Sequence, residues 1–391
     1  MVKCIADTQE IEKHLIALCS NIVDAGGFIH KDLEVRARGG NLTIEAPSQI
    51  PNLDPIIKVP KELLLPAGKF DLRLDGNDFG IGTPDPSVSP VQLELMEHML
   101  ALYNLTGKME QHRKISTSRL FFEDRELFDK IAFAGQREKA EAVSEEEFDL
   151  AMFLGSRTLG VKSDEEPEVN IPSIMPIVDF FNNNSRSAGY DLSGQDLTVR
   201  LSTPIEGSRE CFVRYGKYDA QALLLSYDYV DRSIPFVTSV PMSVMLGDLG
   251  TIEILRNTGR KRQHKAPANL SDLGEFLPPV IPLRDDNAVR LPYLFVPPPN
   301  FPRSMRRILA YAIEVLSPSL SKGDISSYVK HAERQVIARN LEHYSDLNEF
   351  VSARKAKPGT EAMLDNVRAM IDGQLKRIKS YSFEEPRGRS V

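Results

Sequence analysis

Two segments carry most of the information in this chain: PIVDFFNNNS at residues 176–185 and FVRYGKYDAQALLLSYDYVD at residues 212–231. In the first, three consecutive asparagines follow an apolar run. Asparagine amides compete with the backbone for hydrogen bonds, so such a run is unusual inside a helix or a strand. The pattern predicts either a solvated turn or a binding loop, because an amide can donate to a ligand and accept from it at the same time.

The second segment places phenol groups near an expected junction between a strand and a helix. It holds four tyrosines, at positions 215, 218, 227 and 229. Tyrosines at such a junction pack into a core or along a sheet edge in most proteins. A phenol can also orient an amine or relay a proton, so a role in chemistry stays open beside the packing role.

The sequence pattern of the N-terminal part of the chain predicts one helix followed by short strands. Apolar residues recur at helical spacing between Thr8 and Ala25, and the pair Gly26-Gly27 ends the helix. Runs typical of strands follow, separated by Gly, Pro, Asn and Asp, which indicates a small antiparallel sheet. The predicted strands are Leu33–Val35, Leu42–Ile44, Ile56–Val59 and Phe70–Leu74.

Between Ser89 and Leu159 the pattern is helical. Ser144 and Glu147 form a capping box, in which the serine caps the helix and the glutamate reaches back to it. This predicts a helix from about Glu145 to Leu159. Strands and loops return from Pro167 to Asp231 and from Val237 to Leu255.

The C-terminal part is predicted to be helical after Pro302. Residues 259–300 are rich in proline and in charged residues, and this composition predicts a linker or an irregular loop. Beyond them, three helices follow a first apolar face at Ile308–Leu316: the predicted helices are Ile325–Leu341, Leu347–Ala353 and Ala362–Ile378.

Composition limits the classes of function. The 391 residues carry a formal net charge of −7, which argues against general binding of nucleic acid. No apolar run is long enough to cross a membrane, and the first residues lack the apolar core of a signal peptide, so a cytoplasmic protein is expected. Cys4, Cys19 and Cys211 are widely spaced and are expected to be reduced thiols. The seven histidines show no metal-ligand spacing, and no metal is expected.

Taken together and in this order, the motifs of the chain resemble those of the SET-domain methyltransferases. The resemblance is to the branch with an inserted helical subdomain and a helical C-terminal domain, which includes the Rubisco large-subunit lysine methyltransferase and the actin-histidine methyltransferase. The matching residues are Pro176, Asp179 and Asn182, then Gly189-Tyr190, Tyr215-Gly216 and Leu224-Leu225-Ser226-Tyr227, with Phe153–Arg157 and Ile56–Leu63 upstream. Three features differ from the family pattern. Asn183 stands where the family has His, Asp228 stands where it has Gly, and the N-terminal Gly-x-Gly turn has only Arg38–Leu42 as a candidate, with a different spacing.

The resemblance implies methyl transfer from S-adenosylmethionine to a nitrogen of a protein side chain, with lysine as the expected acceptor. Tyr227 matches the catalytic tyrosine, which orients the amine and the methyl group. Four residues are expected to bind the cofactor, and of these the guanidinium of Arg157 would pair with the cofactor carboxylate. The expected cofactor-binding residues are Arg157, Asn182, Asn183 and Tyr215, and the expected substrate-binding residues are Tyr190 and Tyr229.

The implied fold class is α+β: a β-rich SET core with an inserted helical subdomain, followed by an all-helical C-terminal domain. The expected division is the N-terminal part of the core at 1–88, the insert at 89–160, the rest of the core at 161–258, the linker at 259–300, the helical domain at 301–383 and a polar tail at 384–391. A protein or peptide substrate is the expected partner, with no nucleic acid and no membrane.

Two other classes of function remain open. A non-catalytic interaction protein could retain the same fold, and a small-molecule enzyme could use the same scaffold, because a fold does not fix its chemistry.

Overall fold

The computed structural model describes residues 2–46, 50, 54–132, 134–163, 166, 169–200, 208–256, 268–283, 287–296 and 302–381. The predicted tail at 384–391 lies outside these residues. The α+β class is confirmed, with about 48% helix and 22% strand. No helix of the described residues is both long enough and apolar enough to span a membrane.

The described residues contain eleven α-helices, which are α1 Gln9–Asp24, α2 Pro90–Leu105, α3 Lys108–Ile115, α4 Leu120–Glu123, α5 Arg125–Ile131, α6 Ala134–Ala142, α7 Glu145–Gly155, α8 Ala220–Tyr227, α9 Pro302–Leu316, α10 Lys322–Ser352 and α11 Glu361–Lys379.

The strands of the first part of the chain are β1 Lys3–Ala6, β2 Phe28–Ile29, β3 Glu34–Arg38, β4 Asn41–Glu45, β5 Pro55–Pro60, β6 Leu65–Pro66, β7 Leu72–Asp75, β8 Asp78–Ile81, β9 Thr158–Lys162, β10 Asn170–Ile174, β11 Asn182–Asn183, β12 Asp196–Arg200 and β13 Phe212–Val213. Those that follow are β14 Val237–Thr238, β15 Met242–Met245, β16 Thr251–Ile254, β17 Ile281–Pro282, β18 Ala288–Leu291 and β19 Phe295–Val296.

The chain divides into two compact units. The first comprises Met1–Phe128, Ala134–Lys217 and Leu225–Asp231, and the second comprises Asp129–Phe133, Tyr218–Leu224 and Arg232–Val391. The second unit therefore takes in residues 232–258, which the sequence assigned to the core, as well as the expected linker. The range 301–383 is helical over its described residues, but the unit that contains it also holds strands β14 to β19.

The first unit is built from small sheets packed around one apolar core. Its sheets have the strand orders β1-β3-β4, β12-β5-β2, β6-β10-β9, β11-β13 and β7-β8. Helices α1 and α2 supply buried leucines, isoleucines and methionines to the core. The predicted helix at Thr8–Ala25 is confirmed, since Thr8 accepts a hydrogen bond from the backbone of Ile11 and Gly26 ends the helix with a φ of +89°.

Two predicted elements of this unit have different bounds in the structure. Helix α7 has the Ser144–Glu147 capping box but ends at Gly155, because the chain then enters β9, which pairs antiparallel with β10. The strand expected at Phe70–Leu74 begins at Leu72 instead, since Phe70 ends a 3₁₀ turn and Asp71 has a φ of +43°.

The second unit combines a four-stranded sheet with three helices. The strand order is β15-β16-β18-β17, and β16 runs parallel to β18. Strands β17 to β19 lie inside the segment 259–300 that the sequence assigned to a linker. The two helices predicted at Ile325–Leu341 and Leu347–Ala353 are one 31-residue helix, α10, which is capped by Ser321.

Candidate functional site

A strained turn of the first unit carries Asp179 into the protein interior. Ile177 is fully buried and has a φ of +62°, a conformation that a β-branched residue adopts at an energetic cost of about 1–3 kcal/mol. The 3₁₀ turn Val178–Phe180 follows directly. Strain of this kind persists only where the surrounding packing enforces it, and here it turns the carboxyl group of Asp179 inward.

The Asp179 carboxylate is held by a phenol and a guanidinium. Its Oδ2 accepts hydrogen bonds from Tyr103 Oη at 2.8 Å and from Arg157 Nη1 at 2.9 Å. The side chain of Asp179 is 5% exposed and that of Arg157 is 22% exposed. Burial raises the pKa of Asp179, and the charge of Arg157 and the two hydrogen bonds offset only part of this effect.

Arg157 is enclosed by aromatic rings as well as by its ion pair. The guanidinium carbon lies 4.4 Å from the ring centre of Phe153 and 5.3 Å from that of Tyr103. Its Nε is buried and has no hydrogen-bond partner among the described residues. The residue expected to bind a cofactor carboxylate therefore already has an internal carboxylate partner, while one of its donors remains available.

A second cation lies beside this pair. Lys108 is the first residue of α3, and burial, followed by the nearby charge of Arg157, lowers its pKa to about 8, with Asp179 acting in the opposite direction. The site thus holds two basic groups and one carboxylate. This lysine was not predicted as a site residue, because nothing in its local sequence shows that it lies near Asp179.

The first two asparagines of the run form strand β11, whereas Asn184 begins the turn that follows, and its carbonyl accepts a hydrogen bond from the backbone N–H of Ser187. Strand β11 pairs in parallel with β13. Asn183 is buried, its Oδ1 accepts a hydrogen bond from the backbone of Tyr215 at 3.0 Å, and its Nδ2 has no partner among the described residues. Asn182 is exposed and donates its amide N–H to the carboxylate of Glu210. Of the two expected cofactor-binding asparagines, only Asn183 has a buried donor without a partner.

Three of the predicted tyrosines gather in one place. The rings of Tyr215 and Tyr227 are 4.9 Å apart between centres, and Tyr215 Oη donates to the backbone carbonyl of Phe181 at 2.7 Å. Tyr190 follows Gly189, which bridges to Arg214 next to Tyr215. Burial raises the pKa of Tyr190 well above its usual range, and the nearby Tyr215, Asp179 and Tyr227 raise it further.

The fourth, Tyr229, lies at the surface with 44% of its area exposed. Burial of the remainder, followed by the carboxylate of Asp231, raises its pKa. Burial is the main cause of the raised pKa of Tyr215, and Tyr229 adds a small contribution to it. The structure therefore places Tyr229 at the outer side of the tyrosine cluster, with Tyr190, Tyr215 and Tyr227 farther inside.

Asp228, directly after Tyr227, has an unusual backbone conformation and a carboxylate that is engaged by other residues. Asp228 has a φ of +55°, in the left-handed region that glycine adopts most easily and that aspartate tolerates. Its carboxylate accepts a hydrogen bond from the backbone of Thr117 at 2.6 Å and lies 3.3 Å from His112 Nδ1. The carboxylate is thus engaged by α3 and the turn that follows it, and this contact fixes the chain at the end of α8.

Three residues of this site were missed by the sequence analysis: Tyr103, Lys108 and His112. Tyr103 belongs to the apolar face of α2 and His112 to the short helix α3. Their side chains meet Asp179 and Asp228, which lie 76 or more positions away in the sequence. Among the described residues, no group of three or more His, Cys, Asp or Glu side chains could hold a metal ion.

Comparisons with known proteins give a weak likeness. No protein-family model matches the sequence, and no curated protein is significantly similar to it. Among solved structures, the chain is similar to the SET domain of LSMT bound to lysine and AdoHcy, with 12% identity and a TM-score of 0.40 over 94% of this chain and 89% of that one. It is also similar to Rubisco LSMT bound to AdoMet, with 10% identity and a TM-score of 0.40 over 94% and 90% of the two chains. A likeness at this level carries no argument about function, which therefore has to come from the residues of the site.

Proposed function

We propose that the chain is an S-adenosylmethionine-dependent N-methyltransferase that acts on a protein side chain, with lysine as the acceptor. The observation that carries the proposal is the grouping of the Tyr190, Tyr215 and Tyr227 phenols with the unpartnered amide N–H of Asn183. Tyrosine ring faces attract cations, and phenol oxygens accept hydrogen bonds from amines. The cluster is therefore suited to a site in which a positively charged sulfonium meets an amine.

The donors of the site fit this cofactor. S-adenosylmethionine, when bound, supplies an electrophilic methyl group on a positively charged sulfur. The Nδ2 of Asn183 and the Nε of Arg157 are buried donors without partners, and a buried donor that lacks a partner is costly unless a ligand satisfies it. Because Arg157 is already paired with Asp179, we assign to Lys108 the added positive charge that would attract the cofactor carboxylate.

The phenols are suited to a neutral amine. The pKa of Tyr215 is raised by burial and then by Asp179, and that of Tyr190 is raised well above its usual range. Both groups therefore remain uncharged near neutral pH. A phenolate beside the substrate would stabilise a protonated lysine, which has no lone pair to attack the methyl group. A neutral phenol can orient the lysine amine without favouring its protonated form. The role of Tyr227 is positioning, and no covalent intermediate on the protein is needed.

The ion pair between Arg157 and Asp179 favours a second candidate, a non-catalytic binding protein. In that case the guanidinium is part of the core, and Asn183 Nδ2 binds an internal water molecule rather than a ligand. The two candidates differ in one measurable property, the affinity for the cofactor.

The first experiment is titration calorimetry of S-adenosylmethionine and S-adenosylhomocysteine into the full-length protein. We expect micromolar binding, about −8 kcal/mol. Asn183→Asp keeps the acceptor for the Tyr215 backbone but removes the N–H donor, so it should weaken binding about tenfold or more. Asn184→Asp is the matched control, because Asn184 Oδ1 likewise accepts a backbone hydrogen bond, from Arg186 at 2.9 Å. Absence of heat from the folded wild-type protein would reject the methyltransferase and leave the binding protein.

The second arm tests catalysis. A library of lysine-containing peptides is incubated with labelled S-adenosylmethionine, and label transfer is measured. Tyr227→Phe removes the phenol oxygen but retains the ring that packs on Tyr215, so transfer should fall about 100-fold while S-adenosylhomocysteine still binds. Tyr218→Phe, in the same segment, should change transfer by less than about threefold. Equal activity of wild type and Tyr227→Phe would contradict the assigned role.

A further inference from the structure

The structure brings together the side chains of two cysteines that are 15 positions apart in the sequence. Cys4 lies on strand β1 and Cys19 on the buried face of helix α1, and their Sγ atoms are 3.8 Å apart. Cys4 is partly exposed, whereas Cys19 is 2% exposed. Of the two residues, Cys4 is therefore the one that is partly open to solvent.

We propose that Cys4 and Cys19 are a reversible oxidation site, in which a peroxide oxidises Cys4 and Cys19 then closes a disulfide. The sulfurs are in contact while both are thiols, and closing the bond shortens their distance from 3.8 Å to about 2 Å. The proposal concerns the N-terminal sheet and helix and does not depend on methyl transfer.

The two thiols differ in reactivity in the direction that this order needs. Contact with Cys19 lowers the pKa of Cys4, although burial and the nearby Glu12 oppose the shift. The contact with Cys4, together with burial, raises the pKa of Cys19. A thiolate is the species that attacks the peroxide, and Cys4 is the less buried of the two residues, so Cys4 reacts first. Cys19 then acts as the resolving thiol and gives up its proton to the hydroxide that leaves Cys4.

The chemistry balances with one peroxide for each disulfide. The Cys4 thiolate attacks one peroxide oxygen, an S–O bond forms, the O–O bond breaks and hydroxide leaves, which gives a sulfenic acid at Cys4. Cys19 then attacks the Cys4 sulfur, the S–S bond forms, the S–O bond breaks, and the departing hydroxide takes up the Cys19 proton as water. The two sulfurs lose two electrons in total and the peroxide gains them. A small thiol in excess reverses the bond by exchange.

The third cysteine provides an internal control. Cys211 is 3% exposed, and burial, together with the carboxylates of Glu210 and Glu45, raises its pKa to about 12. The only other cysteines of the chain are Cys4 and Cys19, which are the proposed pair. It should therefore remain a thiol under conditions that oxidise the pair.

The experiment treats the folded full-length protein with hydrogen peroxide, removes the peroxide, unfolds the protein in guanidinium chloride, alkylates the remaining thiols, and maps the cysteines by mass spectrometry. In wild type, alkylation of Cys4 and Cys19 should be lost together, with a linked peptide lighter by two hydrogens, while Cys211 stays alkylated. Excess dithiothreitol should restore all three. Because this result needs no variant, it does not depend on the folding of a mutant.

Three variants then separate the steps. Cys19→Ser should trap a sulfenic acid at Cys4 that a dimedone probe labels, Cys4→Ser should leave Cys19 alkylated, and Cys211→Ser should still form the disulfide. The proposal is overturned if the folded wild type keeps both Cys4 and Cys19 alkylated after peroxide, if sulfenic acid accumulates at Cys4 without a link, or if the links involve Cys211.

Discussion

Each unit of this protein contains a buried aspartate paired with an arginine, but the two carboxylates accept different numbers of hydrogen bonds. In the second unit, Arg256 Nη2 donates to both oxygens of Asp219, at 2.7 and 2.6 Å. The same carboxylate also accepts hydrogen bonds from Gln374 Nε2 and from two backbone N–H groups, those of Ala222 and Thr238. Asp219 is fully buried and the side chain of Arg256 is 4% exposed.

In the first unit the corresponding cluster is looser. Asp179 receives one hydrogen bond from Arg157 and one from Tyr103. The Nε of Arg157 and the Nδ2 of Asn183 have no partners among the described residues, and Lys108 adds a second cation. The Asp219 cluster also has one buried atom without a partner among the described residues, but this atom, Gln374 Oε1, is an acceptor and not a donor.

The contrast separates two uses of the same residue types. The Asp219 carboxylate accepts hydrogen bonds on both of its oxygens, and a buried charge that is satisfied in this way rigidifies a core. Buried donors without partners, such as Arg157 Nε and Asn183 Nδ2, destabilise the fold unless a ligand or a water molecule accepts their hydrogen bonds. Such donors are therefore typical of a binding site. On this basis the Asp219 cluster is structural, and the Asp179 cluster belongs to the proposed binding site.

The largest expected effect is at Asp219. Asp219→Asn leaves the Arg256 guanidinium buried without its counter-charge, and should lower the free energy of unfolding by about 3–5 kcal/mol. Urea denaturation followed by circular dichroism measures this. The double variant Asp219→Leu with Arg256→Met should lose less stability than the single one, because no charge is left buried. A loss below about 1 kcal/mol for the single variant would remove the distinction between the clusters.

The same substitution at Asp179 should cost less. Arg157 is 22% exposed and lies over two aromatic rings, so water and the rings can stabilise its charge in the absence of the carboxylate. We expect Asp179→Asn to lower the free energy of unfolding by about 1–3 kcal/mol in the same denaturation experiment. A loss equal to that of Asp219→Asn would show that both clusters are structural.

The third expected effect concerns Lys108 and depends on pH. Its pKa is about 8 in the folded protein against an ordinary value of 10.5, so burial of the charge destabilises the fold fully below pH 8. Between pH 8 and 10.5 the unfolded chain holds more protons, and the free energy of unfolding therefore rises with pH. Lys108→Met should be more stable than wild type at pH 7 by about 1–3 kcal/mol.

That advantage should disappear by about pH 10.5, where the lysine is neutral in both states. Thermal unfolding of both proteins across this range measures it. Lys114→Met is the control, because Lys114 lies on the same helix with its side chain 68% exposed. A stability difference between Lys108→Met and wild type that does not change with pH would mean that the substitution acts through packing and not through charge.

The comparison of the two units also shows which features could be predicted from sequence. Helix α1 and the capped start of α7 depend on contacts within a few residues, namely apolar spacing and a side chain that caps the helix. The break predicted within α10 was wrong because polar residues interrupt its apolar pattern near Tyr344. That tyrosine is fully buried and donates to Gln221 Oε1 within the second unit, so a long-range contact carries the helix through the polar stretch.

The sequence by itself determined the α+β class, the local helix caps and the segments that hold the candidate site, because these follow from patterns a few residues long. Only the tertiary structure decided which partners the polar side chains and thiols of those segments have. It paired Arg157 with Asp179, gave Asn183 rather than Asn182 the unpartnered amide, and brought Cys4 to Cys19. The physical reason is that a buried charge, amide or thiol takes its properties from neighbours in space, and the order of residues along the chain does not specify them.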